Sequence, residues 1–176
     1  GARQYVQKML ASVPDARLNS AVRSVRRVPP GSGEAGVYVS TDAGTERFDE
    51  VVLASHSDQS LAMLADPSAQ ERATLGAIRY HRNRAVLHTD ASVMPQARRA
   101  WAAWNFDRRG AGAADASPVC LHYWINRLQP LPFAQDVFVS LNPNREPKHG
   151  LQMGSYDYEH PVFDGAAVAA QQVLPS

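Results

Sequence analysis

Apolar positions change their spacing along the chain, and each change marks an element. Tyr5, Val6, Met9, Leu10 and Val13 recur three and four apart, which predicts a helix over residues 3–12, stopped by Pro14 and Asp15. Residues 18–28 place Leu18, Val22, Val25 and Val28 among polar and basic neighbours, and the prolines that follow favour an irregular or twisted strand. Val37 to Thr41 alternates as a strand, Asp42-Ala43-Gly44 is a turn, and residues 45–48 form a third short strand. Val51-Val52-Leu53-Ala54 is an unbroken apolar run, the pattern of a strand covered on both faces. Ser55, Ser57 and Asp58 are of the cap type, and a helix is predicted from Gln59 to Leu64. Such a strand, turn and helix N-terminus is where α/β proteins hold ligands.

The second half reads differently. Asp66-Pro67 predicts the start of a helix over residues 68–78, with Leu75 and Ile78 facing inward. Strands are predicted over residues 85–89, 119–128, 137–141 and 152–158, and a partly helical segment over 96–104. Residues 108–117, rich in Gly and Ala, read as a surface loop. Residues 165–174 form a helix that is uniformly small on one side, fit to lie close against another surface. The expected fold class is α+β, a mixed and mainly antiparallel sheet with flanking helices.

Composition narrows the classes of function. The 176 residues carry 18 basic and 17 acidic side chains, so no global field draws nucleic acid or an anionic membrane. No apolar run approaches the roughly 20 residues of a membrane span. One cysteine, Cys120, excludes an internal disulfide and suits a cytoplasmic, reducing setting. Gly31-Ser32-Gly33-Glu34-Ala35-Gly36 spells the dinucleotide glycine pattern. Prolines precede it and a strand follows, whereas the motif needs a buried strand before and a helix after, so it reads as a hairpin loop.

Six histidines include two H-x-D pairs, His56 with Asp58 and His88 with Asp90, and Cys120-Leu121-His122 is C-x-H. On a strand, i and i+2 share a face, so His88 with Asp90 or Cys120 with His122 could converge. H-E-x-x-H and C-x-x-C are absent, no metal site is assigned, and Cys120 reads as a small core residue. Arg98, Arg99, Arg108 and Arg109 form a local basic patch that could meet an acidic substrate, although a solvated surface explains it as well.

A family resemblance enters on particular residues. The helix of residues 4–10, the stretch Ala21-Val22-Arg23-Ser24-Val25, the hairpin and Phe48-Asp49-Glu50-Val51-Val52-Leu53-Ala54 resemble the middle of a flavin-containing amine oxidase. The narrower likeness is to bacterial NAD/FAD-binding amine oxidase-like oxidoreductases, on His88-Thr89-Asp90, Met94-Pro95, Ala100-Trp101, Trp104-Asn105 and His160-Pro161-Val162-Phe163. The resemblance implies FAD as cofactor, held in part by the backbone at Val22 and by the turn Ala54-Ser55-His56. It also implies a small-molecule substrate, an amine or a carbon–carbon bond, oxidised by hydride transfer. Trp104, Asn105, Tyr123 and Trp124 are the expected pocket-lining residues, because flavin chemistry needs an apolar, water-poor site.

The family's N-terminal glycine loop and C-terminal flavin-covering segment have no counterpart here. The chain is therefore expected to be an interior segment: residues 1–66 part of the FAD domain, 67–160 substrate domain, and 161–176 a helix returning toward the FAD domain. Such a segment is expected to be inactive alone, to bind no FAD tightly and to self-associate through uncovered apolar faces. A non-catalytic module binding a small apolar ligand in an aromatic pocket is the rival reading, and a metal-dependent hydrolase using the H-x-D pairs is a weaker one.

Overall fold

The computed structural model describes residues 2–29, 31–108 and 119–174, and within them the class is α+β, with two antiparallel sheets and five α-helices. The chain divides into two compact units, residues 1–80 with 161–176, and residues 81–160.

In the first unit, α1 (Ala2–Leu10) precedes a three-stranded meander, β1 (Val22–Arg27), β2 (Val37–Thr41) and β3 (Gly44–Phe48), in that spatial order. The register pairs Val25 with Val39 and Tyr38 with Arg47, and a bulge interrupts β1 between Val22 and Ser24. The Gly31–Gly36 segment is the irregular hairpin loop that the flanking sequence predicts. At Gly36 φ is +125°, and a Cβ there would collide with the Phe48 carbonyl oxygen. Gly36→Ala is expected to cost about 1–3 kcal/mol, read as a lowered denaturation midpoint. An unchanged midpoint would mean that the loop closes differently.

Helices α2 (Ser57–Met63) and α3 (Ala69–Gly76) follow. The N-cap of α3 is Ser68 in a reciprocal capping box with Glu71, so the Asp66-Pro67 expectation is moved two residues on. The N-cap of α2 is His56, without a side-chain cap bond, and not one of the cap-type serines. Helix α5 (Gly165–Gln171), capped by Asp164, packs on α3 with Ala167 and Ala170 buried. The small-residue stripe thus finds its close surface.

Residues 51–54 correct the sequence reading. They form no strand, Val52 is 90% exposed and Val51 is also exposed. The run has the composition of a buried strand, but a strand exists only where a neighbour completes its ladder, and none does so among the described residues. The parallel bridge in this unit joins Val25 to Leu64 instead. Among the described residues of this unit Val25, Ala167 and Ala170 are the buried apolar ones, whereas Tyr5, Val6, Met9, Leu10, Leu18 and Phe48 stay exposed. The helix that the apolar stripe predicts does form, and its stripe is uncovered.

The second unit is a five-stranded sheet, ordered β5-β6-β7-β4-β8, from β4 (Tyr80–His88), β5 (Trp104–Asp107), β6 (Cys120–Trp124), β7 (Phe138–Leu141) and β8 (Gln152–Pro161). Residues 96–104 are helical in part, through one 3-10 turn at Arg98–Ala100, and Trp104 already belongs to β5. The strand expected over 119–128 ends at Trp124, where α4 (Ile125–Leu128) begins. The loop expected over 108–117 lies outside the described residues except for Arg108. No helix of the described residues is long and apolar enough to cross a membrane.

Candidate functional site

Strand alternation divides the five-stranded sheet into two chemically different faces. The register aligns Trp104 with Tyr123, Tyr123 with Val139 and Leu87 with Val139, and sets Phe106, Leu121 and Leu141 in the adjacent row. This face is apolar and open, with Trp104 and Phe106 each 63% exposed. The opposite face carries Asn105, His122 and Ser140 in one row and Trp124, Phe138 and His88 in the next. It is buried, and Trp101 from the segment after β4 packs edge-on against Trp124 and Phe138 at centroid distances of 5.2 and 5.6 Å.

The expected pocket of Trp104, Asn105, Tyr123 and Trp124 is thereby split. Consecutive strand residues point to opposite faces, so Trp104 and Tyr123 meet on the open face, 5.4 Å apart and edge to face. Asn105 and Trp124 lie on the buried one. Asn105 accepts from the Ala102 backbone N–H and donates to the carbonyls of Ala102 and His122, which is a structural task. Trp124 donates its indole N–H to Asp136, and Asp136 takes a bidentate bond from Arg98, whose guanidinium lies over Trp101. Arg98 is therefore already neutralised, which removes it from the basic patch proposed for an acidic substrate. Arg109 lies outside the described residues.

The buried face holds a polar relay that the sequence pairs only half announce. The Asp90 backbone N–H donates to His88 Nδ1 at 3.1 Å, so neutral His88 carries its proton on Nε2 and donates it to Ser140 Oγ at 2.7 Å. Ser140 Oγ meets His122 Nδ1 at 2.6 Å. Beyond His122 Nε2 lie Cys120 Sγ at 3.6 Å and Asp107 Oδ2 at 3.8 Å. Burial pushes His88 down to about 4, helped by His122 and opposed by Asp90. Burial also lowers His122, against the pull of Asp107. Burial alone would raise Asp90, but backbone N–H bonds from Lys148 and Ser92 outweigh it and hold the carboxylate low. Both imidazoles are thus neutral near pH 7.

A cavity of about 400 Å³ opens beside this relay, lined by Asn105, Asp107, His122, Met94 and Arg145 among others. Of the H-x-D and C-x-H pairs, Cys120 with His122 converges, whereas Asp90 meets His88 only through its backbone N–H and turns its carboxylate to the Ser92 and Lys148 N–H groups. Asp107 is the member that the sequence does not reveal, because its pairing with Cys120 is made across strands. His56 and Asp58 belong to the first unit.

The residues expected at the cofactor lie in the first unit. Val22 opens β1, beside the bulge, and with Val39, Thr41 and Phe48 it lines a hollow of about 290 Å³. Ala54, Ser55 and His56 do not reach that hollow. Ser55 Oγ bonds Ser60 Oγ at 2.8 Å, and His56 stacks on Tyr80 at 4.3 Å with Nδ1 buried and without a hydrogen-bond partner. A third cavity, about 670 Å³ beside α3, has Arg27, Asp66 and Glu71 in its wall, already paired with one another. Compared with family models and with curated proteins, the sequence finds no match in either.

Proposed function

We propose that the chain is a segment of an FAD-dependent, amine oxidase-like oxidoreductase, with the first unit contributing to the cofactor domain and the second to the substrate side. The observation that carries the reading is the mismatch in the first unit between apolar sequence and buried core. A competent strand sequence, residues 51–54, lies uncovered beside a complete meander, and the stripe of α1 is equally bare. Surfaces of this kind are built to be covered. Self-association of the isolated chain through them belongs to the same proposal. A single cysteine suits the cytoplasmic setting proposed with it.

The residues present fit one end of a dinucleotide. At Val22 the bulge takes a residue out of the ladder and leaves backbone groups beside a hollow walled by Val39 and Phe48 on one hand and by Asp15, Arg17 and Glu46 on the other. Apolar side chains for a flat heteroaromatic ring such as adenine and polar groups for its edge are thus both at hand. The bound flavin would accept hydride from the substrate. On the substrate side, Trp104 and Tyr123 offer an open apolar platform on which a small molecule would stack. The same face also favours the competing reading, a non-catalytic module that takes a small apolar ligand.

The complete gene product tests the proposal. It is expected to purify yellow, and Val22→Asp is expected to weaken flavin retention about tenfold, near 1.4 kcal/mol, while Val22→Thr retains it. A full-length protein that binds an apolar fluorescent probe and takes up no FAD would overturn the flavin reading in favour of the binding module. So would coding sequence upstream with no strand, glycine loop and helix.

A further inference from the structure

The buried face of β5 and β6 gathers three side chains of metal-binding type on one point. We propose that Asp107, Cys120 and His122 form a binding site for one zinc-class divalent cation, with a fourth coordination position open to the adjoining cavity. Cys120 Sγ lies 3.6 Å from His122 Nε2 and 4.0 Å from Asp107 Oδ2, and the latter two atoms are 3.8 Å apart. A triangle with these sides has a point about 2.2 Å from every corner, within the roughly 2.0–2.3 Å of zinc bonds to N, O and S. An ion would bind there with little movement of the side chains.

The backbone explains why the geometry is held. Asp107 and Cys120 are direct partners across adjacent antiparallel strands, and His122 follows Cys120 by two residues on the same face. Sites on strands are positioned better than sites on loops. Thiolate and imidazole together select zinc, cobalt or nickel over magnesium and calcium, which want oxygen donors. The supporting contacts are also those of a metal site. Loading sends the Sγ proton to solvent and leaves neutral His122 with its proton on Nδ1, donated to Ser140 Oγ. That hydroxyl has two lone pairs and accepts from His88 Nε2 as well. The Asn144 backbone N–H, 3.4 Å from Sγ, favours the thiolate. Three protein ligands and an open position are the arrangement of catalytic rather than structural zinc. Asp107 and His122 both line the cavity, and Arg145 there offers a partner to an anionic fourth ligand.

Cobalt(II) is the probe. The whole chain, reduced and stripped with chelator, is titrated with cobalt(II) and then with zinc as competitor. One equivalent is expected to bind, giving a thiolate-to-cobalt charge-transfer band that zinc abolishes. Cys120→Ser is expected to remove the band. Asp107→Asn, at a part-exposed position that leaves folding intact by circular dichroism, is expected to weaken affinity about tenfold or more. Ser140→Ala is expected to weaken it by about 10–100-fold while the band at saturation survives. Absence of the band at saturating cobalt, or affinity unchanged in Cys120→Ser or Asp107→Asn, would overturn the proposal.

Discussion

Replacing Phe138 by alanine is expected to remove about 3–5 kcal/mol of stability, the range for deleting a fully buried phenylalanine. Phe138 is completely buried at the centre of the five-stranded sheet. Its ring stacks on His88 at 5.5 Å and takes the edge of Trp101 at 5.6 Å, so the deletion leaves a cavity and ends two ring contacts. A native domain holds only about 5–15 kcal/mol, so one substitution takes a large share. Because the chain forms two compact units, the loss should be followed by a signal from the second unit alone. Near-ultraviolet circular dichroism of Trp101 and Trp124 in a urea titration supplies one. A loss below about 1 kcal/mol, the scale of an ordinary surface change, would show that the buried face is not the core of this unit.

Acid is expected to destabilise the same unit well above the range in which carboxylates are lost. His88 falls from its ordinary value of 6.5 to about 4 in the folded protein, chiefly through burial. Below about pH 6.5 the unfolded chain takes a proton on this residue and the folded chain does not. The unfolded state then binds more protons, so stability falls as pH falls. The loss grows from about pH 6.5 to about 4, where folded His88 also takes its proton and the loss levels off. At about 1.4 kcal/mol per unit, a shift of this size amounts to about 3 kcal/mol. His122, lowered for the same reason, adds to it with the same sign. Asp90, held low by backbone N–H bonds, gives up its share at lower pH still. Urea midpoints between pH 7.5 and 4 read the slope, and His88→Gln is expected to flatten most of it. A slope unchanged in that variant would place the acid sensitivity elsewhere.

These two effects meet because the hydrophobic and polar parts of the buried face interleave. Phe138 and Trp124 stand in the row beside His122 and Ser140, and His88 touches both rows. A relay in such surroundings stays neutral and directional, whereas the same residues in water would titrate in the ordinary range. The surface ion pairs of the meander, Arg23 with Asp42 and Arg17 with Glu46, are solvated and add little.

Local sequence determined the elements that depend on local chemistry. The meander follows from its turn residues and alternation, and the glycine pattern Gly31–Gly36 reads as a hairpin loop because prolines precede it and a strand follows. Helix α5 follows from Asp164 and the alanines behind it, and the class α+β follows from their sum. Tertiary structure decided what depends on neighbours. Residues 51–54 have strand composition and no ladder, because hydrogen-bonding partners are not encoded in the run itself. Trp104 and Asn105, adjacent in sequence, parted because a strand alternates its faces, and the same alternation drew Cys120 and His122 together. Asp107 joined them only through cross-strand register. Ser140 became the hub between two histidines because β7 lies between the strands that carry them. A site made by register is legible once the strand order is known, and strand order is settled by long-range packing that no window of the sequence contains.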